Sequence, residues 1–138
     1  MLHDVLAACE QIGKTVVCDE PGGQGRALAV ALKALRGPVT IVNSDLPAVQ
    51  PEELEAVAAA APALVAAADG TTNALALREA ADFRPLYGPG SAERFERELR
   101  ARRLDLQGLV YDVDTRDDLE QVRDRVGTHT RDALAVRA

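Results

Sequence analysis

The stretch Tyr111-Asp112-Val113-Asp114-Thr115 sets two carboxylates two residues apart on a segment that reads as extended. In an extended chain such residues face the same way, so Asp112 and Asp114 present paired carboxylates while Val113 turns to the core. Capping of a following helix by Thr115, or by Asp114 itself, explains one of these acids and leaves the other without a structural task. Two carboxylates about 4 Å apart repel by roughly 4 kcal/mol at an effective dielectric near 20, and a protein keeps such a pair when a cation lies between them. A third acid, Asp45, stands where the apolar run Thr40-Ile41-Val42 stops at Asn43-Ser44-Asp45-Leu46-Pro47. Turn formers closing a strand account for that stretch by themselves. Joined to Asp112 and Asp114, however, Asp45 completes an oxygen-rich site suited to magnesium.

Three more loops carry chemistry-bearing residues. Pro21-Gly22-Gly23-Gln24-Gly25 precedes a helix, where glycines let backbone N–H groups approach a phosphate at the helix's positive end; a tight turn into the helix uses the same glycines. It is not a P-loop, because the Gly-Lys-Ser/Thr ending is absent. Asp69-Gly70-Thr71-Thr72-Asn73 has the composition of a hairpin turn, yet its hydroxyls and amide could equally face a site. In Tyr87-Gly88-Pro89-Gly90-Ser91, Ser91 is placed to cap the next helix, and the same helix start could hold a carboxylate or phosphate. His3 and His129 have no second nitrogen at metal-ligand spacing. No Ser, Cys or His arrangement suggests an acyl-enzyme mechanism.

Composition narrows the partners. The net charge is -6, from 22 acidic against 16 basic residues, and only Lys14 and Lys33 are lysine. A nucleic-acid backbone requires a basic surface, so DNA and RNA are disfavoured; a small anionic substrate requires a metal ion or backbone amides to hold it. Cys9 and Cys18 suit neither a disulfide framework nor a zinc site. The start, MLHDVLAACEQIG, is not basic and never reaches the apolar length of a signal or spanning segment, so a cytoplasmic protein away from the membrane is expected.

The elements that must position these loops alternate. Helical spacing of Leu2, Val5, Leu6 and Cys9 ends at Gly13, and Lys14–Cys18 reads as a strand. A helix over 26–36, a strand over 39–42 and a helix from Pro51 to Ala60 follow, the last with Glu52 and Glu53 against its positive end. Strands are expected at 63–68 and 74–77, a helix over 91–102 and a strand over 106–113. Thr115 and Asp118 form a capping box for a helix reaching Val126, before a short helical tail. At 138 residues the chain fits one domain, 1–138, built as an α/β layered sheet.

Taken together and in order, PVTIVNSDLPAVQPEEL, DGTTNALALR, PLYGPGSAERF and DVDTRDDL resemble the 2-phospho-L-lactate or phosphoenolpyruvate guanylyltransferases of coenzyme F-420 biosynthesis, over about residues 19 to 126. The resemblance implies a Rossmann-like nucleotidyltransferase fold of the glycosyltransferase-A type, three-layered with a mostly parallel sheet. It implies transfer of GMP from GTP to a three-carbon phospho-acid with release of pyrophosphate. By resemblance, Asp45, Asp112 and Asp114 hold Mg2+ at the reacting phosphates; Thr72, Gly88 and Ser91 bind the phospho-acid, largely through its carboxylate; and Gly22 and Gly23 approach the guanine nucleotide. The front departs from the family. Its members begin with a strand and a loop of the type Val-Pro-x-Lys…Ala-Lys-Ser-Arg-Leu that contacts GTP, to which nothing here corresponds, and a deletion is expected before KTVVC, where the family has a further strand and helix. Two readings follow: a guanylyltransferase shortened or altered at its start, or a catalytically silent relative that keeps a metal-dependent phospho-acid pocket. An absent central strand would leave a sheet edge open, so self-association is also expected.

Overall fold

A computed structural model describes residues 1–136. Its frame is a four-stranded sheet in the order β1-β3-β2-β4, formed by β1 (Val39–Val42), β2 (Ala63–Ala66), β3 (Thr72–Leu77) and β4 (Arg102–Arg103). β3 runs antiparallel to both β1 and β2, while β4 pairs parallel with β2. The sheet is therefore mixed rather than mostly parallel, because the short turn Asp69–Thr71 joins β2 to β3 as a hairpin instead of a crossover. The Asp69 carboxylate fixes that turn by accepting from the Thr71 amide and hydroxyl at 2.9 and 2.7 Å.

Seven helices accompany the sheet among the described residues: α1 (Leu2–Ile12), α2 (Gln24–Leu32), α3 (Pro51–Ala59), α4 (Ser91–Leu99), α5 (Gln107–Val110), α6 (Arg116–Val122) and α7 (Thr128–Val136). Strand alternation divides the core between the two faces. Ala63, Val65, Ala74 and Ala76 pack with Val5 and Ala8 of α1 and with Leu54 and Val57 of α3. Leu64, Leu75 and Leu77 face the other way, against Leu32 of α2 and Ala92 and Phe95 of α4. Helices thus cover both faces, and β3 is buried along its whole length, which is why it reads as continuously apolar from Ala74 to Leu77. A smaller cluster of Val113, Val122 and Val126 seats α6.

Two expected strands are not formed. Lys14–Cys18 has β-branched residues but pairs with no strand of the sheet, and Val16 and Val17 stand 65% and 53% exposed. Residues 106–113 form the single turn of α5 followed by extended chain, because polar side chains capture backbone groups that a ladder would need. The Glu53 carboxylate accepts from the Gly108 amide at 2.8 Å, and the Asn73 amide donates to the carbonyls of Leu109 and Val110. Gly108 permits this approach, since a Cβ there would sit 2.6 Å from the Ala48 carbonyl oxygen. α1, α3 and α4 lie close to where periodicity and capping signals set them, whereas α2 ends at Leu32 and α6 at Val122, each four residues short of the expected end. Gln50 and Glu53 cap α3 reciprocally, as Thr115 and Asp118 cap α6. No helix among the described residues is long and apolar enough to cross a membrane.

Candidate functional site

The end of β1, the start of β3, the start of α4 and the segment after α5 meet at one end of the sheet. β1 emerges at Asn43, whose amide donates to the Asn73 carbonyl at 2.9 Å, and the chain then turns so that Asp45 faces the segment carrying Asp112 and Asp114. The Val113 amide donates to the Asp45 carbonyl at 3.0 Å, fastening the two segments together. Val113 is buried between two more exposed neighbours, so the alternation of an extended chain holds and both acids project outward.

One carboxylate oxygen from each of Asp45, Asp112 and Asp114 lies within 4.8 Å of the other two. Asp45 and Asp112 are half-buried and Asp114 is exposed. The Asp45 Oδ1 is closed to solvent and has no hydrogen-bond partner. Burial, with the repulsion of Asp112 and Asp114 added, holds the Asp45 carboxyl above the usual carboxylate range. An unmatched oxygen beside two further carboxylates suits a hard divalent cation of the Mg2+ class, which takes oxygen ligands, better than a soft metal that prefers sulfur or imidazole.

The other sequence-designated residues lie at the junction of β3 with α4 and in the loop before α2. Thr72 and Ser91 are 1% and 0% exposed, and their hydroxyls bond one another at 2.9 Å. Ser91 is therefore not the cap of α4. Gly90, at φ +69°, holds that position, and the Ser91 hydroxyl ties the helix start to β3 instead. Gly88 takes a positive φ of 115° and accepts from the Ser91 amide at 3.0 Å. Arg94 braces the loop by donating to the carbonyls of Leu86 and Pro89. Gly22 and Gly23 have φ values of +106° and +88°, open to glycine and strained for other residues, and they lead directly into α2. Their loop is linked to the end of β1 through Gln24, whose amide donates to Asn43 Oδ1 at 2.6 Å.

No family model matches the chain. Among curated proteins, phosphoenolpyruvate guanylyltransferase of Geodermatophilus obscurus is 39% identical over 137 aligned positions, which take in 92% of this chain and 64% of that protein. The protein of the same name from Thermomonospora curvata is 41% identical, over 97% of this chain and 65% of its own length. That from Streptomyces scabiei is 40% identical, over 84% and 62%. The chain is thus similar to phosphoenolpyruvate guanylyltransferases along most of its own length. It spans somewhat under two thirds of the length of these three relatives.

The residue that sequence reasoning passed over is an amide, Asn43. Asn43 reads as a turn former, and Asn73 as a hairpin-turn residue whose amide could also face a site; both belong to a polar chain that runs from exposed Gln24 through half-buried Asn43 to buried Asn73 and the acid-bearing segment. The available signal was Asn73 itself, the one amide in the otherwise apolar run Asn73-Ala74-Leu75-Ala76-Leu77, where an unpaired polar group would be costly.

Proposed function

We propose that the chain acts as a guanylyltransferase that joins the GMP part of GTP to phosphoenolpyruvate or 2-phospho-L-lactate, with release of pyrophosphate, in coenzyme F-420 biosynthesis. The observation that carries this reading is the meeting of Asp45, Asp112 and Asp114 around an unmatched carboxylate oxygen, in a chain about 40% identical to proteins bearing that name. A phosphate oxygen of the acceptor attacks the α-phosphorus of GTP, a new P–O–P link forms, and the bond from the α-phosphorus to the bridging oxygen breaks as pyrophosphate leaves. The attacking phosphate is already ionised at neutral pH, so positioning and charge neutralisation matter more than a protein base.

Asp45, Asp112 and Asp114 would hold Mg2+. When bound there, the cation supplies neutralisation of the two phosphorylated partners. The Gly22–Gly23 loop, with α2 behind it, offers backbone amides to the nucleotide phosphates. Thr72, Gly88 and Ser91 bind the acceptor's carboxylate, which requires the Thr72–Ser91 hydroxyl pair to open and turn toward it. With GTP as donor, a cytoplasmic setting fits the reading.

The test is incubation with Mg2+, GTP and phosphoenolpyruvate or 2-phospho-L-lactate while pyrophosphate is measured. Release that depends on both substrates and on Mg2+ supports the assignment. Absence of release, with Mg2+-dependent phosphoenolpyruvate binding intact, replaces it with a phospho-acid binding module.

A further inference from the structure

The amide chain beside the acids runs in one direction. Gln24 Nε2 donates to Asn43 Oδ1 at 2.6 Å, Asn43 Nδ2 donates to Asn73 Oδ1 at 3.2 Å, and Asn73 Nδ2 donates to the carbonyls of Leu109 and Val110 at 3.0 and 3.2 Å. Asn43 Nδ2 also lies 3.3 Å from the Thr72 carbonyl. Both hydrogens of the Asn73 amide are thereby committed to the last turn of α5, and its oxygen to Asn43. Asn73 is 1% exposed, so its donors have no water to turn to.

Two links of this chain lie close in sequence to the acids of the cluster. Val110 precedes Asp112 by two residues, and Asn43 precedes Asp45 by two. Three like charges gathered at one point push the Asp112–Asp114 segment away from Asp45. Against that push stand the Val113–Asp45 backbone bond and the grip of Asn73 on Leu109 and Val110. α5 contributes little resistance of its own, being one turn with no ladder partner.

We propose that Asn73 is a positioning residue that holds the Asp112–Asp114 segment against Asp45, and that Asn43 aligns it from the β1 side. This inference rests on the reading of the three acids as a divalent-cation site, and the experiment separates the two. Mn2+ alone is titrated calorimetrically into the full chain, into Asn73→Ala, into Asp112→Asn and into the double variant. Val57→Ala serves as a control, since Val57 is a buried core residue of α3 that takes no part in the amide chain's hydrogen bonds.

Removal of a side chain that orients a ligand weakens metal binding by about 10- to 100-fold, and that loss is expected for Asn73→Ala. Val57→Ala lowers the melting temperature yet keeps Mn2+ affinity within about twofold. In the Asp112→Asn background the Asn73 substitution costs less affinity than in the wild-type chain, because the segment it positions keeps only Asp114 as a ligand. Should Asn73→Ala melt too low for titration, Asn43→Ala at the half-buried link replaces it, with a smaller loss and the same non-additivity. Wild-type affinity in the Asn73 or Asn43 variant, or full additivity with Asp112→Asn, overturns the inference while leaving the cation site standing. Equal Mn2+ binding by the wild-type chain and Asp112→Asn overturns the cation site and the inference together.

Discussion

Asp4 and Asp45 are both aspartates drawn away from water, and the fold treats them in opposite ways. Asp4, 7% exposed in α1, accepts hydrogen bonds from the amides of His129 and Thr130 at 3.0 and 2.9 Å and from the Thr130 hydroxyl. It closes the start of α7 and clasps the two ends of the chain's helical layer. Burial opposes its ionisation, but the hydrogen bonds from Thr130 and His129 outweigh that and hold its carboxyl below the ordinary range. Asp45 has an oxygen with no partner and two carboxylates for neighbours, and its carboxyl is held above the ordinary range. A structural carboxylate is surrounded by donors; one kept for a ligand is left short of them.

The largest separation between the two sites is expected in catalysis. Asp112→Asn removes one of the charges that hold the cation, and pyrophosphate release is expected to fall by roughly two to three orders of magnitude, as when one electrostatic stabiliser is deleted from an active site. Asp45→Asn should do the same while raising the melting temperature of the cation-free protein, since it relieves repulsion within the cluster. A rate unchanged by both substitutions would reduce the acids to surface charge.

Asp4→Ala should behave in the reverse sense. It strands the buried amide and hydroxyl of Thr130, each at about 1–3 kcal/mol, and the melting temperature should drop by several degrees while Mn2+ affinity is retained. If Asp4→Ala altered cation affinity and left stability unchanged, the contrast drawn between the two aspartates would be reversed.

Acid titration sharpens the same comparison with a milder effect. Asp4 has a lowered folded-state value, so its contribution to stability is complete above its unfolded value near 3.8 and is lost as pH falls through the folded one. Asp45 has a raised folded-state value, so its protonation as pH falls from neutral relieves the cation-free fold and at the same time weakens cation binding. Melting curves of wild type, Asp4→Asn and Asp45→Asn between neutral pH and about pH 3 should diverge in these two directions.

Much of this was legible in the chain because it is local. The capping box at Thr115 and Asp118, the stop at Gly13 and the outward pairing of Asp112 and Asp114 each depend on neighbours a few residues away. The misread segments depend on distant partners. Val16 and Val17 have strand propensity but stand exposed and unpaired with the sheet, while residues 106–110 curl because Glu53 and Asn73, 55 and 36 residues away from Gly108 and Leu109, take their backbone groups. Asn43 looked like any turn residue because its role is set by Gln24 and Asn73, 19 and 30 positions away. The convergence of Asp45 with Asp112 and Asp114 came from family resemblance together with strand-end logic, and spacing alone could not have joined them.

The smallest expected effect belongs to Gln24, the outermost link. Gln24 is exposed, and its 2.6 Å bond to Asn43 Oδ1 joins the start of α2 to the end of β1. Gln24→Ala removes one solvent-accessible hydrogen bond, worth about 0.5–1.5 kcal/mol at most, and leaves Asn43 free to keep its own donors on Thr72 and Asn73. Cation affinity should therefore change by no more than about threefold and stability hardly at all. The KM for GTP should rise several-fold, because the loss frees the Gly22–Gly23 loop that precedes α2, whereas the KM for the phospho-acid should not move. Equal changes in both Michaelis constants would show that the amide chain acts on the acid cluster alone and that the glycine loop is independent of it.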